Sequence, residues 1–297
     1  AEVGVGRDPA AAVEPDRRAL LDISRDLQTS KLALREGQTD AAVESSTLAV
    51  SQARALGHEP TLAEALTWHA KVLFDTGAPF EAEARQAVQL AAAHDLPGLE
   101  TEAWLLVSRA AEAQQDVRKR DSDTSVAIEA AQAALSRAGT PPRLEAHVEE
   151  RRAETAHWVN SDLERAAEHY ARAVDLLRAA PGTSVSEVGL IADNYGQLLG
   201  ALGRHEDALE LQRWRLAFAE SSVGERHPEA GRAHERKALS LVGLGRLEEA
   251  LYNAASAIEI YTEAGAIDHD VAYVHGILGE IAMQRSEWDR ARDHIGT

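Results

Sequence analysis

The heptapeptide GRHEDAL at residues 203–209 returns as GRLEEAL at residues 245–251, a shift of 42 residues. Shorter forms of the pattern, SDLERA at 161–166 and SEWDRA at 286–291, carry serine in place of the first glycine. Three positions extend the series towards the N-terminus, with spacings of 39–45 residues: Gly37, Gly77 and Ser122. Recurrence at this period predicts an array of structural repeats, seven in all.

Each recurring Gly or Ser, called a joint below, lies between two stretches with helical periodicity. Glycine there permits the positive φ that ends a helix, and acidic residues such as Glu248 and Glu249 favour a new helix start. Small residues recur at fixed offsets, where two helices must cross closely. The alanines five residues after each joint are Ala42, Ala82, Ala127, Ala166, Ala208, Ala250 and Ala291. Twelve residues after the joint, Gln89 and Arg215 replace a small residue and predict different packing.

The composition favours helices and excludes several functional classes. Hydrophobic residues make up 44% of the 297 residues but aromatic residues only 4%, which disfavours both a β-sheet core and disorder. A formal net charge of −18 argues against non-specific nucleic-acid binding. The chain has no cysteine and no apolar run of about 18 residues, so we expect no disulfide, no thiolate chemistry and no membrane insertion.

The repeat unit resembles the tetratricopeptide repeat (TPR). The pairs Tyr195-Gly196 and Leu278-Gly279 match the Leu-Gly signature of the first TPR helix. The loop GERHPEA at 224–230 and the 42-residue spacing resemble the longer, kinesin-light-chain-like variety. This resemblance implies an all-α fold, a right-handed α-solenoid of about seven TPR-like helix–turn–helix hairpins.

We expect residues 1–20 to form a linker or lead-in and residues 21–297 to form the repeat domain. The expected hairpins span 22–57, 61–96, 99–138, 143–180, 185–221, 228–264 and, cut short, 269–297. The missing initiator Met and the end of the chain a few residues into a helical pattern predict that the sequence is a fragment of a longer protein.

A second resemblance concerns the parent protein. LGHEP at 56–60, LAEA at 62–65 and LSRAGTPP at 135–142 resemble the helical repeat region after the kinase domain of bacterial, especially myxobacterial-type, serine/threonine kinases. This implies a regulatory or scaffolding part of a signalling protein in the cytoplasm. A membrane segment upstream in the parent would instead place the repeats outside the cytoplasm.

The sequence offers no set of catalytic or metal-ligating residues. A single Glu-x-x-His, Glu154 to His157, lacks the second copy and the further glutamates that a di-iron site needs. His227 and His269 stand at connectors between hairpins, where capping is expected rather than metal binding. We therefore predict no enzyme activity, no metal and no cofactor in this chain.

The family resemblance places partner binding on the first helices of the hairpins, which line a concave surface. Counting back from the joints predicts these partner-binding residues: Lys71, Arg151, Arg152, Thr155, Asn194, Gln197, Arg232, Arg236 and Tyr273. In the kinesin-like variety, asparagines on this surface hold the backbone of an extended peptide, and only Asn194 matches that role.

Several interpretations of this surface stay open. A locally basic groove would bind a protein or peptide that is acidic or phosphorylated, because arginine pairs well with carboxylates and phosphates. Alternatively, the arginines form salt bridges with neighbouring acidic residues, which outnumber basic residues 49 to 31. A small-molecule-sensing repeat region of a transcription regulator would show a deep pocket instead, and an enzyme on a helical toroid would show converging acids. Self-association through the cut C-terminal end is a further expectation.

Overall fold

The computed structural model describes residues 9–112, 116–265 and 268–295, and those residues form fourteen α-helices, one π-helical turn and no β-strand. The helices of the N-terminal half are α1 (Pro9–Arg35), α2 (Thr39–Leu56), α3 (Glu59–Asp75), α4 (Glu81–Ala93), α5 (Pro97–Glu112), α6 (Val117–Arg137) and α7 (Pro142–Glu154). The π turn covers Thr155–Val159. The C-terminal half contains α8 (Leu163–Ala179), α9 (Val185–Ala201), α10 (His205–Val223), α11 (Pro228–Gly243), α12 (Leu247–Glu263), α13 (Asp268–Gln284) and α14 (Trp288–Ile295).

The chain divides into two compact units, Ala1–Arg151 and Arg152–Thr297. In the first unit each helix from α1 to α6 packs on the next, and the alternate helices α1, α3 and α5 also contact in sequence. In the second unit α8 to α14 pack in the same way, with α9 against α11 and α11 against α13. Strong contacts between neighbours and next-neighbours are those of stacked hairpins. The predicted all-α solenoid is confirmed.

Six of the seven predicted joints adopt a left-handed backbone. The φ angles are 69–73° at the glycines, which are Gly37, Gly77, Gly203 and Gly245. Ser161 (φ 54°) and Ser286 (φ 60°) adopt the same conformation without the freedom of glycine. The hairpin geometry therefore requires a left-handed residue at the joint, and in two hairpins this residue is a strained serine.

The predicted joint at Ser122 is wrong. Ser122 lies inside α6, which begins five residues earlier, at Val117, because the Asp116 side chain accepts hydrogen bonds from Arg118 N (3.0 Å) and Lys119 N (3.2 Å). This capping starts the second helix of the third hairpin before the serine is reached. Ala127, counted from that joint, is nevertheless buried at 1% exposure.

The offsets counted from the joint at Gly77 do not fit α4, so the predicted roles of Ala82 and Gln89 are wrong. After Gly77 the chain passes through Ala78, Pro79 and Phe80 before α4 begins, a turn two residues longer than the one after Gly37. The buried alanines of α4 are consequently Ala84, Ala87 and Ala91, whereas Ala82 and Gln89 are exposed. The other described alanines five residues after a joint are fully buried, as predicted: Ala42, Ala166, Ala208 and Ala250. The side chain of Ala291 lies outside the described residues.

The predicted lead-in at 1–20 is helical from Pro9 onward, because α1 is longer than expected. Residues 1–8 lie outside the described part of the chain. Along α1, Ile23 and Leu27 are buried in the core of the first unit, together with alanines of α2 to α5. The expected boundary at residue 21 thus falls inside α1, two residues before the buried Ile23.

Candidate partner-binding face

In the second unit, the first helices of three hairpins follow one another, and five of the nine predicted partner-binding residues lie on them. We call the surface of α9, α11 and α13 the A face. The residues are Asn194 and Gln197 on α9, Arg232 and Arg236 on α11, and Tyr273 on α13. Gln197 and Tyr273 are exposed, whereas the other three are half-buried. Five predicted residues are thus on successive first helices, as the hairpin register requires.

A buried arginine from the second helix supports the A face. Arg215 of α10 is 1% exposed, and its Nη1 lies 2.5 Å from Asp193 Oδ1 of α9. Its Nη2 lies 3.4 Å from Glu229 Oε2 of α11. Gly189 leaves room for this arrangement, since a Cβ there would lie 3.1 Å from Arg215 Nη2. Arg215 thus occupies the position where the repeat pattern predicted a small residue, and it joins two successive first helices by charge.

Arg236 continues the network across the A face. Its Nε lies 3.2 Å from Asp193 Oδ1 and 3.5 Å from Glu235 Oε1. Its Nη1 donates to the Tyr273 hydroxyl at 2.9 Å, and the guanidinium lies over the Tyr273 ring at 4.9 Å. Arg236 therefore links α9, α11 and α13 through two kinds of contact, ionic and cation–π.

Behind Arg236, a carboxylate is buried with a tyrosine. The Tyr261 hydroxyl donates to Glu235 Oε2 at 2.9 Å, and both residues are nearly inaccessible. Burial raises the pKa of Glu235 above its ordinary value, against the opposing effect of Arg236. Burial and the neighbouring Glu235 also raise the pKa of Tyr261. The pair is a hydrogen-bonded polar element inside α11 and α12, where an unpaired carboxylate would be costly.

The arginines of the A face already have carboxylate partners. Arg232 lies 3.7 Å from Asp270 Oδ1, the longest of the ion pairs on this face. Of the two interpretations of these residues, the geometry matches the one in which they form salt bridges with nearby acids. Because the charge of each guanidinium is compensated, the A face does not present an unopposed basic groove.

The remaining predicted residues lie elsewhere. Lys71 of α3 is exposed and pairs with Asp75 at 3.2 Å. Thr155 is buried in the π turn, and Arg152 is half-buried at the start of the second unit.

The prediction that Arg151 faces outward is wrong. Its side chain is 1% exposed, and its Nε and Nη2 donate to the hydroxyl (2.8 Å) and carbonyl (3.1 Å) of Ser108. Its Nη2 also lies 2.5 Å from Glu112 Oε1. Counting back from a joint placed Arg151 on the correct helix, but α7 turns this side towards α5. Arg151 therefore holds the end of the first unit together.

A cavity of about 400 Å³ opens between α9, α10 and α11. Two predicted residues, Gln197 and Arg236, line it, and so does Glu280 of α13. Its other walls include Asp193, a first-helix position by the repeat count, and His205 and Gln212 of α10, which the sequence did not mark as partner-binding. Two sequence signals lie near this site: Gly196 of the Tyr195-Gly196 pair, which lines the cavity, and Arg215, which breaks the small-residue pattern twelve residues after its joint.

The histidines serve as helix caps where the structure describes them at connectors. His227 Nδ1 accepts a hydrogen bond from Glu229 N at 3.2 Å, and Pro228 follows as the first residue of α11. This confirms the capping role predicted for His227, whereas the side chain of His269 lies outside the described residues. Within the described ranges, no group of three or more His, Cys, Asp or Glu side chains could hold a metal ion. No helix of those ranges is both long and apolar enough to cross a membrane.

Neither a protein-family profile nor a curated protein sequence matches the chain. Among solved structures, BtubC (BKLC) from P. vanneervenii is similar with a TM-score of 0.59 and 18% identity, over 73% of this chain and 87% of that one. Two structures of a Podosopora anserina kinesin-light-chain protein with nearly identical TPR-like repeats give TM-scores of 0.41 and 0.40 at 15% identity, over 84% of this chain and 97% of theirs. These neighbours are TPR-like repeat proteins. The likeness concerns the fold alone, and by its fold this chain is an all-α solenoid of TPR-like hairpins.

Proposed function

We propose that the chain is a non-catalytic protein-interaction module, which binds a peptide or protein segment on the A face. One observation carries this proposal: successive first helices present exposed side chains, Gln197 and Tyr273, beside an open cavity of about 400 Å³. A face without a cavity and without such exposed side chains would instead suit a solenoid with a purely structural role. Lys71 extends the proposal to the corresponding face of α3 in the first unit.

We further propose that the partner is acidic or phosphorylated. Arg232 supports it best, because its contact with Asp270 is long and its side chain is 42% exposed. A partner carboxylate or phosphate could compete with Asp270 for this guanidinium. Arg236 supports it less, since that side chain is only 18% exposed and has three partners.

We also infer the setting of the module: the regulatory part of a larger bacterial signalling protein, such as a serine/threonine kinase, in the cytoplasm. The support is the resemblance of residues 56–65 and 135–142 to kinase-associated repeats. Binding of a small molecule is a second candidate function, favoured by the volume of the cavity, which lies in the range of ligand pockets, about 300–1,000 Å³.

Site-specific photo-crosslinking tests the proposal. A benzophenone amino acid replaces Gln197 on the A face or, as the control, Tyr252 on α12, which is 70% exposed. In source cells we expect a protein cross-linked at 197 and not at 252, with the contact peptide identified by mass spectrometry. Equal cross-linking at both positions would place the binding surface elsewhere, a copy of the same chain would indicate self-association, and no cross-link at 197 would contradict the proposal.

A further inference from the structure

The cavity of the second unit is kept open by glycines. A Cβ at position 196 would lie 2.7 Å from Gln212 Nε2, and one at 243 would lie 2.4 Å from His205 Nδ1. A Cβ at 200 would meet no atom within 4 Å, although Gly200 also lines the cavity. Glycine is a poor helix former, so three glycines in α9 and α11 cost helix stability. Gly196 and Gly243 make space for the side chains of Gln212 and His205, and Gly200 borders the open volume of the cavity.

The cavity wall contains hydrogen-bond acceptors without donors. Gln212 is 1% exposed, and its Nε2 donates to Ala192 O at 3.3 Å, which fixes the orientation of the amide. Its Oε1 is buried and accepts no hydrogen bond from the described residues. An acceptor left unpaired in this way destabilises the fold.

Two carboxylates of the wall also have acceptor capacity. Both arginines that contact Asp193 use Oδ1, so Oδ2 accepts none of the hydrogen bonds among the described residues. The Glu280 side chain forms neither an ion pair nor a hydrogen bond with any described residue. The strong donor of the wall, Arg236, already bonds to Asp193 and Tyr273. The two carboxylates of the wall, Asp193 and Glu280, therefore outnumber its one guanidinium, and Glu280 forms no ion pair with a described residue.

We propose that this cavity binds a positively charged group with N–H donors, and that the group is an arginine or lysine side chain of the bound peptide. The inference rests on the proposed function, because it names what the A face selects in its partner. Glu280 supplies the opposite charge, and Asp193 Oδ2 supplies a further acceptor. A guanidinium matches this set best, since it presents five N–H donors in one plane.

The test is a random array of nine-residue peptides probed with the full chain. We expect arginine and lysine to be enriched at one position of the bound peptides about threefold over the array average. Gly200→Leu should remove this enrichment by filling the cavity without a clash. Gly98→Leu is the matched control, because Gly98 is also helical, has equally open surroundings and lies in the first unit.

A charge series on the best peptide sharpens the test. Glu280→Gln should weaken its binding about tenfold by calorimetry, and Glu280→Lys should shift the preference of the array towards aspartate and glutamate. Free agmatine is the second probe: if it binds as tightly as the peptide, the cavity is supported as a cation site but a peptide is overturned as the source of the cation.

Two results would overturn the inference in different ways. If peptides bind without a basic preference, or if Gly200→Leu keeps the preference, the cavity does not select a cation but the interaction function stands. If no peptide binds and no partner cross-links at position 197, the proposed function fails and the inference fails with it.

Discussion

At the scale of single residues, the second unit depends on charges buried between helices. Arg215 neutralises Asp193 and Glu229, which come from two different first helices. Removing one member of such a set leaves carboxylates partly buried without compensation, and this costs more than the set contributes as a whole. The position tolerates arginine only because both acids are present.

We expect Arg215→Met to lower the free energy of unfolding by about 3 kcal/mol, since the hydrophobic replacement keeps the volume but leaves Glu229 without its ion-pair partner and Asp193 with Arg236 alone. Urea unfolding followed by circular dichroism measures this loss. Arg213→Met is the control, because Arg213 is exposed on the same helix, and it should change stability by less than about 0.5 kcal/mol. Equal effects of the two substitutions would show that the buried ion pairs do not matter.

The Glu235 carboxyl makes stability depend on pH. Burial raises its pKa above the ordinary value of 4.5, so the folded protein binds this proton more readily than the unfolded chain. The resulting stabilisation is complete below the unfolded pKa and is lost as pH rises through the folded pKa. Glu235→Gln keeps an acceptor for Tyr261 but cannot ionise.

Over the range that extends upward from about pH 4.5, we therefore expect the wild type to lose stability relative to Glu235→Gln. Urea unfolding of both proteins across this range gives the difference directly. A difference that stays constant with pH would contradict the assignment, and one that changes in the opposite direction would mean that Arg236 outweighs burial.

At the scale of helices, two glycines one turn apart in α9 should respond oppositely to the same change. Gly200→Ala meets no atom within 4 Å and should stabilise the protein by roughly 0.5–1 kcal/mol through better helix propensity. Gly196→Ala would place its Cβ 2.7 Å from Gln212 Nε2 and displace the amide from Ala192 O. Thermal unfolding should show a gain for the first variant and a loss for the second.

The joints give a second pair of opposite effects. Ser161 has a φ of 54°, where a non-glycine residue costs about 1–2 kcal/mol, so Ser161→Gly should stabilise the protein. Ser122 lies within α6, so Ser122→Gly should destabilise it by about 0.5–1 kcal/mol. Thermal unfolding of the two variants tests the hairpin boundaries themselves. If Ser122→Gly instead raises the thermal stability, position 122 is a joint after all, as the repeat spacing predicted.

At the scale of the whole chain, the net charge of −18 predicts no affinity for nucleic acid. At about 0.15 M salt, the electrophoretic mobility of a labelled DNA duplex should be unchanged by micromolar protein. The arginines of the A face do not alter this expectation, because acidic side chains compensate them. Retarded DNA would indicate a basic surface that the described residues do not show.

The repeat spacing predicted most of the fold, because every hairpin needs a left-handed joint and small residues where its two helices cross. Joints such as Gly203 and Gly245, and the buried Ala208 and Ala250, follow from offsets within one repeat. The register failed around Ser122, where a cap starts the helix early. It also failed after Gly77, where the turn is two residues longer. Capping and turn length are local features that vary between repeats, so a fixed offset cannot reveal them.

The candidate site was less predictable, because its contacts join distant parts of the sequence. Asp193 and Arg236 are 43 residues apart, and Arg215 lies between them on another helix. Sequence spacing indicates that Arg236 lies on a first helix, but it cannot show which acid compensates it. The same limit applied to Arg151, whose partners Ser108 and Glu112 belong to α5.

The charges that join α9, α10 and α11 have a consequence for how this array could evolve. Hairpins of identical sequence can be duplicated, deleted or exchanged, since each needs only a neighbour of the same kind. Here α9 supplies the acid, α10 the buried base and α11 a second acid and a second base. Exchanging either hairpin for another copy would leave an ion without its counter-ion. Recombination between these repeats is therefore disfavoured, and their order in the chain is preserved by electrostatics.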